Sequence, residues 1–311
     1  MAGSEKTGVI LLAFGGADSI ENVEPFINNV LSPRKPSPEL IEVTRERYKL
    51  IGGSSPLLHI TKGQAKSLQT KINRGRKEPV KVYVGMRNWD PYIKDTLQEM
   101  KDDGVTKAIA VIMAPHQTKA STGGYVEAVE AARAEIEGLP EVEYVDQWHV
   151  TPTFLEAVVE NIQTALVAYY KLREKWKIRV IFTAHSLPER ILEGDPYVSL
   201  IEETLEGVTD MLSHLNHTLA YQSKGGGGGG EWLGPSVEEA IEEAKESGCI
   251  GVLIIPIGFV SDHVETLYDI DILFEQKAKS LGLTFERVAS LNTTDTFMKA
   301  LAEAVTPHLD S

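Results

Sequence analysis

The chain has 311 residues, 42% of them hydrophobic and 24% charged, and carries a formal charge of -14 with a pI near 5.1. That length exceeds one comfortable core and predicts two domains. The acidic balance, with no long basic run to offset it, argues against nucleic acid or an anionic lipid surface as a partner.

The opening MAGSEKTG has neither a basic stretch nor an apolar one of signal-peptide type. The longest apolar run, IGVLIIPIGFV, falls well short of the roughly 18 residues that span a bilayer. Cys249, the single cysteine, cannot form an internal disulfide or supply the four thiolates that an iron–sulfur cluster usually takes. A cytoplasmic location is expected.

Short aliphatic runs at 8–14, 80–85, 108–114, 179–184, 218–223 and 250–257 read as strands buried on both faces, as in a parallel sheet. Amphipathic stretches alternate with them, among them PYIKDTLQEMKDDG, a segment at 154–175, SVEEAIEEAKESG and the terminal TFMKALAEAVTPHL. The alternation predicts α/β architecture in two doubly wound lobes, 1–150 and 151–311, joined through EYVDQWHVTPTFL. The glycine run Gly225–Gly230 is followed by EWLGP rather than by a phosphate-loop pattern, so it reads as a flexible or substituted loop.

Ligands of open α/β sheets bind beyond the carboxyl ends of the strands. The residues there are Gly15-Gly16, Gly85 to Trp89, Pro115-His116, His185-Ser186, Gln222-Ser223 and Gly258 to Glu265. His185 follows the strand RVIFTA and is suited to proton transfer or metal ligation, or, as a plain loop histidine, to capping. In PIGFVSDHVETLYDIDIL a helix is expected from near Asp262, with Glu265 and Asp269 four apart on one face and Leu273 a turn further. Asp262 and Glu265 have capping-box spacing, which would explain both without any function. That account requires neither His263 nor Asp269, and a carboxylate row at a strand tip also suits a divalent cation in transit. His59, His149, His214, His217 and His308 stand at no ligand spacing and read as structural; no HExxH, CxxC or EF-hand pattern is present.

Six blocks, LLAFGG, YKLIGGSSPL, VGMRNWDP, FTAHSLPERILEGDPY, YQSKG with WLGP, and PIGFVSDHVETLYDID, resemble the ferrochelatases in kind, order and separation. The resemblance implies two Rossmann-type lobes around a porphyrin cleft, with the C-terminal helix returning to the first lobe. It implies an enzyme that inserts Fe²⁺ into a porphyrin, both being substrates, with no permanent cofactor and no cluster. His185 falls on the family's active-site histidine and Glu265 on its catalytic glutamate. His263 and Asp269 fall on the metal approach, and Arg87, Arg47, Ser55, Tyr125, Trp232 and Phe14 on positions near the macrocycle. A monomer handing haem to an acceptor protein is expected.

The chain departs from the pattern at Phe14, where some relatives have a tyrosine able to ligate product iron. It departs again at Leu273, in place of the outer acid, and at Leu31 and Ser32, in place of propionate-holding arginines, although Arg34 and Lys35 are close. The stretch VLSPRKPSPELIEVTRERYKL lacks the apolar lip of membrane-bound protoporphyrin enzymes, which favours coproporphyrin III over protoporphyrin IX. Two alternatives stay open: a sirohydrochlorin-type cobaltochelatase using His185 with His263, against which SDHVETLY and WLGP argue, and a porphyrin or metal carrier without chemistry.

Overall fold

The computed structural model describes residues 6–169, 177–212, 215–225 and 230–309. The expected helix at 154–175, the glycine run and His214 therefore fall partly or wholly outside the described residues.

Strand β1 (Thr7–Ala13) lies between β2 (Val82–Met86) and β3 (Lys107–Ile112), and β4 (Glu141–Tyr144) pairs with β3 on the far side. The second sheet repeats this arrangement with β5 (Ile178–His185) between β6 (His217–Gln222) and β7 (Gly251–Ile255), and β8 (Thr284–Arg287) beside β7. All of these pairings are parallel. Parallel strands need covered faces; β1, β3 and β7 are correspondingly near-continuous Val, Ile, Leu and Ala, and β5 is buried from Val180 to Ala184. Strand β4 overlaps the strand-like start of the segment read as the link between lobes, whereas β8 was not expected, its charged TFER lying at a sheet edge with alternating exposure.

Helices α1 (Val23–Leu31), α2 (Pro38–Leu50) and α3 (Leu57–Ile72) fill the long β1–β2 connection. Then come α4 (Ile93–Asp102), α5 (Gly123–Glu135), α6 (Pro152–Tyr169), α7 (Tyr197–Met211), α8 (Val237–Glu246), α9 (Glu275–Ser280) and α10 (Asp295–Leu309). Helix α10 packs against α6 and also against α3 and β3 of the first sheet. Its Phe297 meets Trp148 and Phe154 in an aromatic cluster. One core cluster consequently runs from Val9 and Ile109 in the first sheet to Phe182 and Leu253 in the second.

In both sheets the chain steps from the central strand to one side and then crosses to the other, so the topology reverses between β1 and β3 and between β5 and β7. Such switch points open a crevice at the strand tips. The tips of β5 and β7 are where His185 and the loop leading to Glu265 emerge.

Candidate active site

His185 is the last residue of β5. It is held from behind: the Tyr197 hydroxyl donates to its main-chain carbonyl (2.9 Å), and the Ser186 amide donates to the Gln222 carbonyl (2.7 Å). The loop after β7 presses against this tip, because the Gly258 amide donates to the Thr183 carbonyl and a Cβ on Gly258 would stand 3.0 Å from the Ala184 Cα. The loop thereby delivers Glu265, whose Oε1 lies 3.0 Å from His185 Nδ1. His185 Nε2 is left as the ring nitrogen that Glu265 does not engage.

Two neighbours from the tip of β6, placed by sequence among the strand-tip residues but given no role there, complete the arrangement. Gln222 Nε2 donates to Glu265 Oε1 at 3.2 Å. Ser223 Oγ lies 2.5 Å from both Glu265 Oε1 and Asp269 Oδ2. Ser223 has a left-handed backbone (φ 61°), which is uncommon for a residue with a side chain and turns its hydroxyl between the two acids. No sequence signal marks that φ.

The electrostatics follow from burial and pairing. Burial alone would raise the Glu265 pKa, but the adjacent His185, His263 and Ser223 overcome it and hold the carboxyl down at about 2. Burial alone would lower the His185 imidazole, and the Glu265 charge and hydrogen bond reverse that into a raised pKa. Asp269 is pushed up to about 6, first by burial and then by the Glu265 charge, against the pull of Ser223 and Arg47. One hydroxyl proton cannot be donated twice. Below about pH 6, where Asp269 is protonated while Glu265 stays ionised, Ser223 can donate to Glu265 and accept from Asp269, giving a continuous hydrogen-bonded line from Asp269 to His185.

Asp269 carries a stability consequence. Its folded pKa of about 6 stands above the ordinary 3.8, so ionisation of this acid opposes folding above pH 6. That opposition fades as pH falls toward 4. Asp269→Asn is therefore expected to be more stable than wild type at pH 7–8, by about 1–3 kcal/mol, with the gain vanishing near pH 4. Urea unfolding at the two pH values checks this; an equal stability difference at both would contradict it.

His263 lies tilted against Phe259 with ring centroids 4.6 Å apart, and its Nε2 is 3.9 Å from Glu265 Oε2. Its buried Nδ1 has no hydrogen-bond partner among the described residues, and burial lowers its pKa. Among the described residues no group of three or more His, Cys, Asp or Glu side chains is arranged to hold a metal ion. His185, His263, Glu265 and Asp269 are neighbours without forming a cage, because Glu265 Oε1 is taken by His185, Gln222 and Ser223.

The structure corrects the expected capping box. Asp262 accepts from Arg287, Ser290 and Asn292, and its amide donates to Asn292 rather than to Glu265. A capping box is present instead at Ser236 and Glu239, at the start of α8. The helix that carries Glu265 starts at Val264, and from Thr266 to Phe274 it is wound as a π-helix rather than the expected α-helix. Glu265 and Asp269 nonetheless reach the same hydroxyl. Leu273, one turn on, is exposed.

The first lobe supplies a basic and aromatic wall. Arg87 follows β2, donates to the Ser121 carbonyl at 3.1 Å and lies over the Tyr125 ring. Tyr125 itself is only 3% exposed and belongs to the first-lobe core, so it supports Arg87 instead of presenting a face to a macrocycle. The Arg87 guanidinium fills the space where Gly124 lacks a side chain; a Cβ there would stand 2.1 Å from Arg87 Cζ. Gly124→Ala should thus displace the guanidinium without unfolding the protein. The expected result is a rise of about tenfold in KM for an anionic substrate of this crevice, the worth of one charge-assisted hydrogen bond. Steady-state kinetics with an unchanged KM would contradict it.

Arg47 on α2 reaches across to the second lobe, its guanidinium 5.1 Å from the Tyr268 ring centroid. The Ser55 amide donates to the Ala17 carbonyl, and its side chain occupies the space beside Gly16. Phe14 is exposed and edge-on to Phe26. Trp232 is half-buried, in a bridge with Pro188 after His185. Arg34 and Lys35 are exposed. The expected polar lip is only partly polar, since Leu40, Val43 and Leu50 on α2 are also exposed. Of the other histidines, His116 and His149 are buried side by side away from this site, bonded to Thr204 and Glu203. A separate cavity at the tips of β3 and β4, lined by Ile112, Thr118, Tyr144 and Trp148, contains neither His185 nor Glu265.

The two-lobed parallel α/β fold is shared with solved chelatases. SirB from Bacillus subtilis, solved with Fe³⁺, superposes with a TM-score of 0.58 at 10% identity, covering 96% of this chain and 94% of that one. CbiX, described as the terminal enzyme for biosynthesis of siroheme in denitrifying bacteria, gives 0.54 at 10% identity, covering 96% and 98%. These likenesses establish the fold. The ferrochelatase family model matches residues 6–309. A ferrochelatase of Geotalea uraniireducens is 38% identical, covering 97% of each chain, and one of Herpetosiphon aurantiacus is 38% identical, covering 97% of this chain and 99% of its own. The coproporphyrin III ferrochelatase of Geobacillus kaustophilus is 35% identical, covering 96% and 94%. The chain belongs to the ferrochelatase family.

Proposed function

We propose that this protein inserts Fe²⁺ into a porphyrin, releasing two protons, as a cytoplasmic lyase of haem biosynthesis with coproporphyrin III as its preferred substrate. The observation that carries the reading is the 3.0 Å pair of His185 Nδ1 and Glu265 Oε1 at the strand tip, backed by Ser223 and Asp269.

Metal insertion requires that a flat macrocycle be bent, that the ion lose water and that two pyrrole N–H protons leave. Binding the ring periphery supplies the few kcal/mol that bending requires. The raised pKa of His185 makes its free Nε2 the stronger proton acceptor, and Glu265 stabilises the imidazolium that results. Further protons can pass along Glu265, Ser223 and Asp269. His263, kept neutral by burial, offers a nitrogen ligand beside the same carboxylate.

The exposed Arg34 and Lys35, the seat of Arg87 against Gly124 and the likeness to the Geobacillus kaustophilus enzyme support the more carboxylated substrate. Phe14 cannot ligate product iron, so haem should leave without that bond. No helix among the described residues is long and apolar enough to cross a membrane. Initial rates with Fe²⁺ and each porphyrin in turn test the preference. A higher kcat/KM for coproporphyrin III is expected; a higher value for protoporphyrin IX would overturn it.

A further inference from the structure

The π-helical stretch 266–274 sets which side of the helix Asp269 takes relative to Glu265. In an α-helix four residues advance by about 1.1 turns. In a π-helix, with its five-residue hydrogen bonds, four residues fall short of a full turn. The Glu275 amide makes such a bond to the Ile270 carbonyl. Rewinding to α would therefore carry Asp269 around the helix axis and away from the Ser223 hydroxyl that it now shares with Glu265. A π-helix is rare and usually confined to a single-turn bulge, so something must hold this nine-residue stretch.

Arg287, the last residue of edge strand β8, stands where it can do so. Its Nε and Nη2 take both oxygens of Asp271 (2.5 and 3.0 Å), and its Nη1 takes Asp262 Oδ1 (2.9 Å). Asp271 lies inside the π stretch, and Asp262 lies in the loop ahead of it. All three side chains are largely sheltered from solvent. Ser290 and Asn292 complete the Asp262 carboxylate, fixing the loop end. A planar guanidinium can hold two carboxylates at once in fixed directions, which an ammonium cannot. Without it, two neighbouring acids would repel each other.

We propose that Arg287 is a positioning residue for metal insertion: by clamping Asp262 and Asp271 it keeps the helix in π winding and so keeps Asp269 in line with Ser223 and Glu265. This rests on the functional reading above. It touches neither substrate nor metal in this role.

The test is Arg287→Met beside Arg287→Lys and Asp271→Asn, read by steady-state insertion kinetics and by amide hydrogen exchange across 266–274. Arg287→Met should lower kcat about 10- to 100-fold, the usual cost of losing an orienting partner. KM for the porphyrin should stay as in wild type, since no ring contact is lost. Arg287→Lys, able to hold one acid well, should fall between. Exchange should quicken within 266–274 in Arg287→Met and Asp271→Asn while staying as in wild type across β5. Folded variants with wild-type kcat, or with unchanged exchange at 266–274, would overturn the proposal. If Arg287→Met does not fold, Asp271→Asn, which leaves the Asp262 pair intact, decides by the same readings. Wild-type protein that inserts no metal would defeat the functional reading instead, and the exchange comparison would still decide whether Arg287 holds the winding.

Discussion

Glu265→Gln should lose metal insertion by about 10²- to 10⁴-fold, the range expected when a proton-transfer group is removed, while porphyrin still binds. The amide has the same size and can still accept from Ser223, so the pocket keeps its shape. What disappears is the charge. Glu265 holds its carboxyl down at about 2 because His185, His263 and Ser223 surround it, and it raises His185 in return. Without that charge only the weaker pull of Asp269 opposes burial, which lowers the imidazole pKa, and the imidazolium formed by taking a pyrrole proton loses its adjacent counter-ion. Porphyrin fluorescence quenching gives binding and metalloporphyrin absorbance gives turnover. Insertion at the wild-type rate would remove Glu265 from the mechanism; lost binding would make it a substrate-holding residue.

Phe297→Ala should destabilise the protein by about 3–5 kcal/mol, the usual cost of emptying a buried aromatic site, and lower Tm by roughly 6–15 °C. Phe297 is fully buried on α10 and touches Trp148 and Phe154. Helix α10 belongs by sequence to the second lobe yet packs on α3 and β3 of the first. The cavity would therefore open in the core that both sheets share. One cooperative transition, moved as a whole, is expected by calorimetry. Melting of the second lobe alone, with the first unmoved, would contradict this account of the junction.

The six apolar runs became strands because residues buried on both faces of a parallel sheet announce themselves as continuous hydrophobic segments. Their tips then gave the neighbourhood of the site, since the switch point of such a sheet fixes where ligands go. His185 and Glu265 were legible in this way, and the family motifs gave them roles. Strand β8 was not legible, because an edge strand buried on alternate residues and reading TFER carries no apolar run. Arg287 was missed with it.

Ser223 and Gln222 stood at a strand tip in the sequence but looked like any polar residues there. Their importance comes from a left-handed backbone at Ser223 and from carboxylates more than forty residues away. The π winding was invisible for a related reason. Spacing of four suits α and π helices alike, and what separates them here is a clamp from another strand. Asp262 and Glu265 matched a capping box in sequence because the pattern tests only residue type, and tertiary partners claimed both acids.

The most direct test of the central claim, that the His185–Glu265 pair is a porphyrin metal-insertion centre, is an anaerobic absorbance assay of the wild-type protein. Coproporphyrin III, protoporphyrin IX and sirohydrochlorin are presented separately, the porphyrins with Fe²⁺ and sirohydrochlorin with Co²⁺. Loss of the free-porphyrin bands, fastest with coproporphyrin III, is predicted. Turnover of sirohydrochlorin alone, or no turnover of any of the three, would contradict it.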